Sequence, residues 1–120
     1  MATQLQKARA FSFVVQSGRC VYCNLPMWEA DPDEFAKRYH LTPNQTRRFK
    51  CTAEHLTARC DGGPDSRANI AAACMHCNSV RHRSPVPLPA LEYQTYVRKR
   101  VARGKWPGFG IPKTMHTAPQ

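Results

Sequence analysis

The chain contains 120 residues, a length that suits one domain with a single modest core rather than two. Hydrophobic residues make up 42% of the chain, a globular composition, and no apolar run approaches the roughly 20 residues of a membrane span. Lys and Arg number 18 against 8 Asp and Glu, so the net charge of +10 favours nucleic acid as the partner. Because we recognise no secretion signal, we expect a cytoplasmic protein with one domain over residues 1–120.

Apolar residues at helical spacing predict an amphipathic first helix over residues 3–16, within an N-terminal segment 1–19. Gly18 is expected to end the helix. The buried face of this helix is predicted to consist of Leu5, Ala8, Phe11 and Val15.

Two further helix-start signals follow. Asp31 and Thr42 are capping residues, and each precedes a proline at the first helical position. They predict two short helices, which form an insertion over residues 31–49 in a core that spans residues 20–83.

In the middle of the chain the sequence pattern changes from helical to strand-like. Residues 51–58 read as a strand, and the glycine-rich stretch 61–65 predicts a turn. Residues 69–73 suit either a strand or a helix. A helix is expected to follow Cys77 and to run to about Arg83.

Residues 84–120 are expected to form a basic helix and a tail. The proline-rich stretch 84–89 predicts an extended linker. The helix after it has an apolar face and a basic remainder, formed respectively by Tyr93, Tyr96, Val97 and Val101, and by Arg98, Lys99, Arg100 and Arg103. Its basic side either lies along phosphates or is simply solvated. The tail beyond Gly104, with Trp106, is predicted to be partly disordered.

Six cysteines in so short a chain indicate either disulfides or a metal site. Two pairs have the C-x2-C spacing with which a tight turn presents two thiolates to one tetrahedral zinc ion. The predicted structural zinc ligands are Cys20, Cys23, Cys74 and Cys77. The remaining cysteines, Cys51 and Cys60, are expected to be small buried hydrophobic residues.

A set of polar residues accompanies the two cysteine pairs, in the order Glu54-His55, Gly62-Gly63, Asn69, Asn78 and His82. With the cysteine pairs, this set resembles the HNH endonuclease family over residues 51–83. The resemblance implies an α+β protein with a small ββα-metal core. In such a core a two-stranded hairpin, crossed by a helix, holds one divalent cation, and here a four-cysteine zinc site and flanking helices would brace it.

The resemblance also implies catalytic roles for two residues. His55 matches the family's general base, which removes a proton from the water that attacks the scissile phosphodiester. Imidazole, with an ordinary pKa of about 6.5, can accept a proton near neutral pH. Asn69 matches the middle position of the motif, whose family role is to bridge the long loop and hold the base in place.

By the same resemblance, Glu54, Asn78 and His82 would bind the catalytic cation. Glu54 stands where most relatives have Asp. Asn78 and His82 are four residues apart and so share one helix face, although His82 has the alternative of being a surface imidazole near phosphate. Such an oxygen and imidazole ligand set suits Mg²⁺, Mn²⁺, Ni²⁺ or Zn²⁺.

The implied activity is metal-dependent nicking or cleavage of DNA by a monomer or homodimer, leaving 5′-phosphate and 3′-hydroxyl ends. Arg59 or Arg81 would contact the phosphate, or serve as plain backbone-binding charge. Further nucleic-acid contacts are expected from Arg98, Lys99 and Arg100. The alternatives are a non-catalytic zinc-ribbon module that binds nucleic acid and, less favoured by the charge, a protein-interaction domain. Glu54-His55 together with Asn78 distinguishes the nuclease from these alternatives, because a binding module needs no base beside a carboxylate beneath a metal-binding helix.

Overall fold

A computed structural model describes residues 1–116, which form a mixed α and β structure around one antiparallel hairpin. Strands β1 (Cys51–His55) and β2 (Ile70–Cys74) pair in a register that sets Cys51 opposite Cys74 and His55 opposite Ile70. The helices are α1 (Gln4–Val15), α2 (Pro32–Tyr39), α3 (Pro43–Arg47), α4 (Met75–Arg81) and α5 (Ala90–Ala102). The predicted α+β class is confirmed, and the ambiguous stretch 69–73 is resolved as a strand.

The predicted buried face of α1 is confirmed at Ala8 but was wrong for Phe11 and Val15. Ala8 and Ser12 are the buried residues of this helix, whereas the side chains of Phe11 and Val15 are 43% and 66% exposed. The hydroxyl of Ser12 donates a hydrogen bond to the carbonyl oxygen of Ile70 in β2, at 2.7 Å. Small residues therefore form the contact, because they let α1 approach the backbone of the sheet closely.

Helices α2 and α3 lie in the predicted insertion and begin as expected. Asp31 accepts a hydrogen bond from the backbone N–H of Glu34, and Thr42 forms a reciprocal capping box with Gln45. Phe35 and Tyr39 of α2 are buried and pack against each other, with ring centroids 4.9 Å apart. The insertion thus adds its own aromatic residues to the core.

Helix α4 begins earlier than predicted. Its N-cap is Cys74, whose Sγ accepts a hydrogen bond from the N–H of Cys77 at 3.4 Å, and the helix ends at Arg81. The second cysteine pair therefore lies in the first helical turn. This arrangement sets Asn78 one residue after the last thiol, in a fixed position over the hairpin.

The segment that follows α5 is packed rather than disordered, so this expectation was wrong for residues 105–116. Trp106 is 6% exposed and lies edge-on to the ring of His76, with centroids 4.8 Å apart. Met115 is fully buried, and its carbonyl oxygen accepts a hydrogen bond from Arg19. Aromatic burial therefore outweighs the glycine and proline content of this segment. The last residues of the predicted tail, 117–120, lie outside the described residues.

One cluster of buried side chains runs from the first cysteine pair to Met115 and includes Tyr22, Phe49, Tyr93 and Val97. It draws on the hairpin, the insertion, α5 and the tail. Among residues 1–116, no helix is long and apolar enough to cross a bilayer.

Candidate active site

The four predicted zinc ligands converge at one point. The sulfur atoms of Cys20, Cys23, Cys74 and Cys77 all lie within 4.8 Å of one another and are buried. Four thiolates on one zinc ion, each about 2.3 Å from it, lie about 3.8 Å apart. The distance of 3.9 Å between the sulfur atoms of Cys23 and Cys74 fits this geometry. The cluster is therefore compatible with a structural zinc.

Contacts within the cluster favour a thiolate at Cys20, while hydrogen bonds and burial raise the pKa of the Cys74 and Cys77 thiols. The backbone N–H groups of Tyr22 and Cys74 point at the sulfur of Cys20, at 3.4 and 3.3 Å. Burial alone would raise the pKa of the Cys20 thiol, but hydrogen bonds from the other three thiols hold this pKa well below its usual value. The deprotonated form is the one that binds metal.

The two remaining cysteines differ from each other. Cys51 is buried as predicted, and burial raises the pKa of its thiol. Cys60 is exposed, which corrects the expectation that it is a core residue. It lies in the short 3-10 turn Arg59–Asp61 between the strands, where its side chain has no core to enter.

Glu54 is a buried carboxylate, with a side chain that is 1% exposed. Its Oε2 atom accepts hydrogen bonds from the hydroxyl of Tyr22 at 2.8 Å and from Nη1 of Arg81 at 3.1 Å. Its Oε1 atom lies 2.9 Å from Nε2 of His82. The carboxylate is thus fixed on one side by buried donors and presents its other oxygen to an imidazole.

Helix α4 supplies a third side chain to the same place. Nδ2 of Asn78 donates to Oγ1 of Thr52 and to the carbonyl oxygen of Ala53, at 3.0 and 3.2 Å. Within residues 1–116, no hydrogen-bond donor reaches the Oδ1 atom of this amide. An open cleft of about 450 Å³ is lined by Glu54, Asn78 and His82 together with Ala53, His55, Ala58, Arg59 and Cys60.

These side chains fit a small divalent cation. Two ligand atoms at right angles on one ion, each about 2.1 Å from it, would lie about 3 Å apart. In the structure Nε2 of His82 and Oε1 of Glu54 are 2.9 Å apart and share a hydrogen bond, and a cation between them would replace its proton. Carboxylate and amide oxygens suit Mg²⁺ and Mn²⁺, whereas imidazole suits Ni²⁺ and Zn²⁺, so these donor groups fit a divalent cation without selecting one.

His55 ends β1 and has a carboxylate partner that the sequence analysis missed. Oδ1 of Asp65 lies 2.8 Å from Nε2 of His55. Because a carboxylate only accepts, this contact requires the proton on Nε2 and leaves the lone pair on Nδ1. Nε of Arg59 is also 3.2 Å from Nε2, but Asp65 is closer and negatively charged, so it takes the Nε2 proton.

The charge of Asp65 is well supported. The hydrogen bond from His55, together with the nearby guanidinium of Arg59, lowers the pKa of the Asp65 carboxyl. Nη2 of Arg59 lies 3.3 Å from the Oδ1 atom of Asp65. Asp65 therefore stays an acceptor and fixes the orientation of the imidazole.

Asn69 bridges the loop between the strands. Its Oδ1 accepts from the N–H of Thr57 at 2.8 Å, and its Nδ2 donates to the carbonyl oxygens of Thr57 and Pro64 at 3.0 and 2.9 Å. The loop closes tightly here, because a Cβ on Gly63 would lie 1.7 Å from the carbonyl oxygen of Thr57. Asn69 and Gly63 thus hold the segment that carries Asp65.

The cationic residues fall into two groups. Arg81 is 5% exposed, and its guanidinium donates hydrogen bonds to Glu54, Tyr22 and backbone carbonyl oxygens. The expectation that Arg81 contacts phosphate is therefore corrected. Burial in the core, between Glu54 and the end of β1, is the reason. Arg59 is exposed and lines the cleft.

On α5, the basic residues are accessible but not equivalent. Arg98 donates to the carbonyl oxygens of Val21 and Tyr22 and so braces the first cysteine pair. Arg100 lies over the ring of Tyr96, at 5.8 Å from its centroid, while Lys99 is exposed. The structure places none of these three among the residues that line the cleft.

Sequence reasoning missed Asp65 and Tyr22. Asp65 stood in a glycine-rich loop and read as a turn residue, and Tyr22 lay inside a cysteine pair and read as a spacer. Asp65 could have been found as a carboxylate in the loop that Asn69 closes beside His55. For Tyr22, only the packing of the two cysteine pairs reveals the partner.

The hairpin, α4 and the cysteine cluster are together consistent with a ββα-metal fold of the HNH type. A family model described as HNH endonuclease matches residues 43–84, a segment that contains α3, both strands, α4 and all the residues that line the cleft. This match confirms the HNH resemblance over that segment and indicates a nuclease-type function. No curated protein and no solved structure matches the chain.

Proposed function

We propose that this protein is a metal-dependent endonuclease that hydrolyses phosphodiester bonds in DNA. The observation that carries the proposal is the cleft in which Glu54, Asn78 and His82 can hold a cation beside His55. A module that only binds nucleic acid has no need of these groups around one opening. The net charge of +10 supports a polyanionic substrate.

His55 is the proposed general base. Asp65 accepts the Nε2 proton, so Nδ1 is the atom that accepts a proton from the attacking water. The water oxygen forms a bond to phosphorus as its proton passes to Nδ1, the bond from phosphorus to the 3′ oxygen breaks, and the 3′ oxygen leaves as an alkoxide that takes a proton from a solvent water. Arg59, which lines the same cleft, would bind a phosphate oxygen.

The cation would be held by Oε1 of Glu54, Nε2 of His82 and Oδ1 of Asn78. When bound, a divalent cation neutralises charge on the phosphate and on the departing oxygen. The side chains of the site are held in place by contacts within the protein. Glu54 and His82 meet at 2.9 Å, and Asn78 is fixed by Thr52 and by the backbone of Ala53.

In the direct test, supercoiled plasmid is incubated with the zinc-loaded protein and added Mg²⁺, Mn²⁺, Ni²⁺ or Zn²⁺. We expect conversion to nicked circle with at least one of these ions and none when the added ion is chelated. The control is a gel-shift assay on the same plasmid under each condition. Tight binding without nicking in any ion would contradict the proposal and favour the non-catalytic nucleic-acid-binding module.

Replacement of Asp65 by Asn tests how the base is held. An amide can donate as well as accept, so it admits the other tautomer of His55, in which Nδ1 carries the proton. We expect kcat to fall by roughly 10²-fold, with KM and the melting temperature nearly unchanged. Steady-state kinetics on plasmid measure this, with Asp61→Asn as the control, since Asp61 is an exposed carboxylate of the same loop. Equal activity in both variants would show that Asp65 does not position the base.

A further inference from the structure

The first cysteine pair is connected to the carboxylate of the cleft by one side chain. Tyr22 lies between Cys20 and Cys23, is 1% exposed, and its backbone N–H points at the sulfur of Cys20. Its hydroxyl lies 2.8 Å from Oε2 of Glu54, a residue 32 positions away in sequence. A residue of the zinc knuckle thus touches a residue of the cleft directly.

Both donors on Oε2 are buried and held in place. Arg81 is also bound to the carbonyl oxygens of His55 and Leu56, so its guanidinium cannot turn away from Glu54 without losing other bonds. The ring of Tyr22 packs edge-on against Tyr93, with centroids 4.8 Å apart. Oε2 therefore has two fixed partners, and Oε1 is the oxygen that faces His82.

We propose that Tyr22 is a positioning residue that, with Arg81, makes Glu54 a one-oxygen ligand through Oε1. This inference rests on the proposed function, since it concerns the same cation. A carboxylate free to rotate can offer either oxygen or both, and holding it in one orientation removes that freedom before the ion arrives. Partners of metal-binding carboxylates typically change metal affinity by about 10- to 100-fold.

The arrangement gives the four-cysteine cluster a second consequence. The cluster fixes the backbone of residues 20–23 and so fixes Tyr22. The hydrogen bond from Tyr22 then fixes the orientation of the Glu54 carboxylate. The length of Glu54 fits this role, because its carboxylate reaches back to a buried phenol and still leaves one oxygen at the cleft. Structural zinc and catalytic cation are therefore linked through one hydrogen bond.

The test measures Mn²⁺ binding to the zinc-loaded full chain without DNA, by calorimetry or electron paramagnetic resonance. We expect Tyr22→Phe to weaken the Kd for Mn²⁺ by about tenfold or more, with zinc content unchanged. The matched control is Tyr93→Phe, which also removes a buried hydroxyl near the cysteines, one that donates to the carbonyl oxygen of Cys77 at 2.7 Å. Its Mn²⁺ affinity should equal that of the wild type.

Two further variants secure the result. In a Glu54→Gln background, Tyr22→Phe should cause no further loss of Mn²⁺ affinity if it acts through Glu54. Should Tyr22→Phe fail to retain zinc, Arg81→Lys weakens the hold on the same oxygen and should lower Mn²⁺ affinity in its place.

The outcomes separate the two proposals. If the wild type binds Mn²⁺ and Tyr22→Phe binds it equally well, the inference about Tyr22 is wrong while the proposed function stands. If both tyrosine variants weaken Mn²⁺ binding to the same extent, a general loss of packing explains the effect, and Tyr22 is not a positioning residue. If the wild type binds no Mn²⁺ at all, the cation site itself fails and the inference fails with it.

Discussion

Replacing His55 with Ala is expected to lower the rate of plasmid nicking by about 10²–10⁴-fold while leaving DNA affinity nearly unchanged. The reason is that His55, as the proposed base, would remove a proton in the reaction but contribute little to holding the polyanion, which would depend on the many cationic side chains. Nicking rates under saturating protein, together with Kd values from gel shifts in Ca²⁺, measure the two effects separately.

The control for His55→Ala is His116→Ala. His116 is an exposed imidazole that does not line the cleft, so its loss matches the change in composition without touching the site. We expect wild-type nicking from this variant. A His55→Ala protein that nicks at the wild-type rate would remove His55 from the mechanism. A variant that loses binding and nicking equally would make His55 a binding residue instead.

Replacing Cys77 with Ser is expected to unfold the domain or to lower its melting temperature severely. Cys77 is fully buried in the cluster, and structural zinc in small domains is worth about 10–16 kcal/mol, as much as the whole stability of about 5–15 kcal/mol of an ordinary domain. We therefore expect the loss of one of the four thiols to remove most of the stability of the native state. Calorimetry measures the melting temperature, and elemental mass spectrometry measures the bound zinc.

The matched control is Cys60→Ser, which removes a thiol of the exposed 3-10 turn that is outside the cluster. We expect one bound zinc per chain and an unchanged melting temperature. If Cys77→Ser also kept its zinc and its melting temperature, the four sulfur atoms would not form a structural metal site. Nicking should disappear in Cys77→Ser, because Asn78 and Tyr22 both depend on the cluster for their positions.

Elements with strong local signals were predicted well. Asp31 and Thr42 begin helices through hydrogen bonds that involve only their neighbours in sequence. In the same way, the spacing of the cysteine pairs is a local property, which is why the pattern alone identifies the four cysteines that cluster. Spacing also indicated that Asn78 and His82 face the same way, and both line the cleft, although His82 is the C-cap residue just after α4.

The face of α1 and the fate of the tail were predicted poorly. Periodicity assigned Phe11 and Val15 to the core, but the hairpin offers α1 a surface of small alanines and a backbone carbonyl, which Ala8 and Ser12 fit better. Trp106 lies between a glycine-containing turn and a proline, yet it finds an aromatic partner in His76. In both cases a partner distant in sequence decides the outcome.

By itself, the sequence determined which chemical groups this protein has and the elements that carry them, because cysteine spacing, helix caps and turns act over a few residues. Only the tertiary structure decided which groups meet. Tyr22 and Arg81 reach one oxygen of Glu54, and Asp65 reaches His55 across a folded loop. These contacts join residues 10 to 32 positions apart. The packing of the hairpin against α4 and the cysteine cluster sets their distances, and no local pattern contains that information.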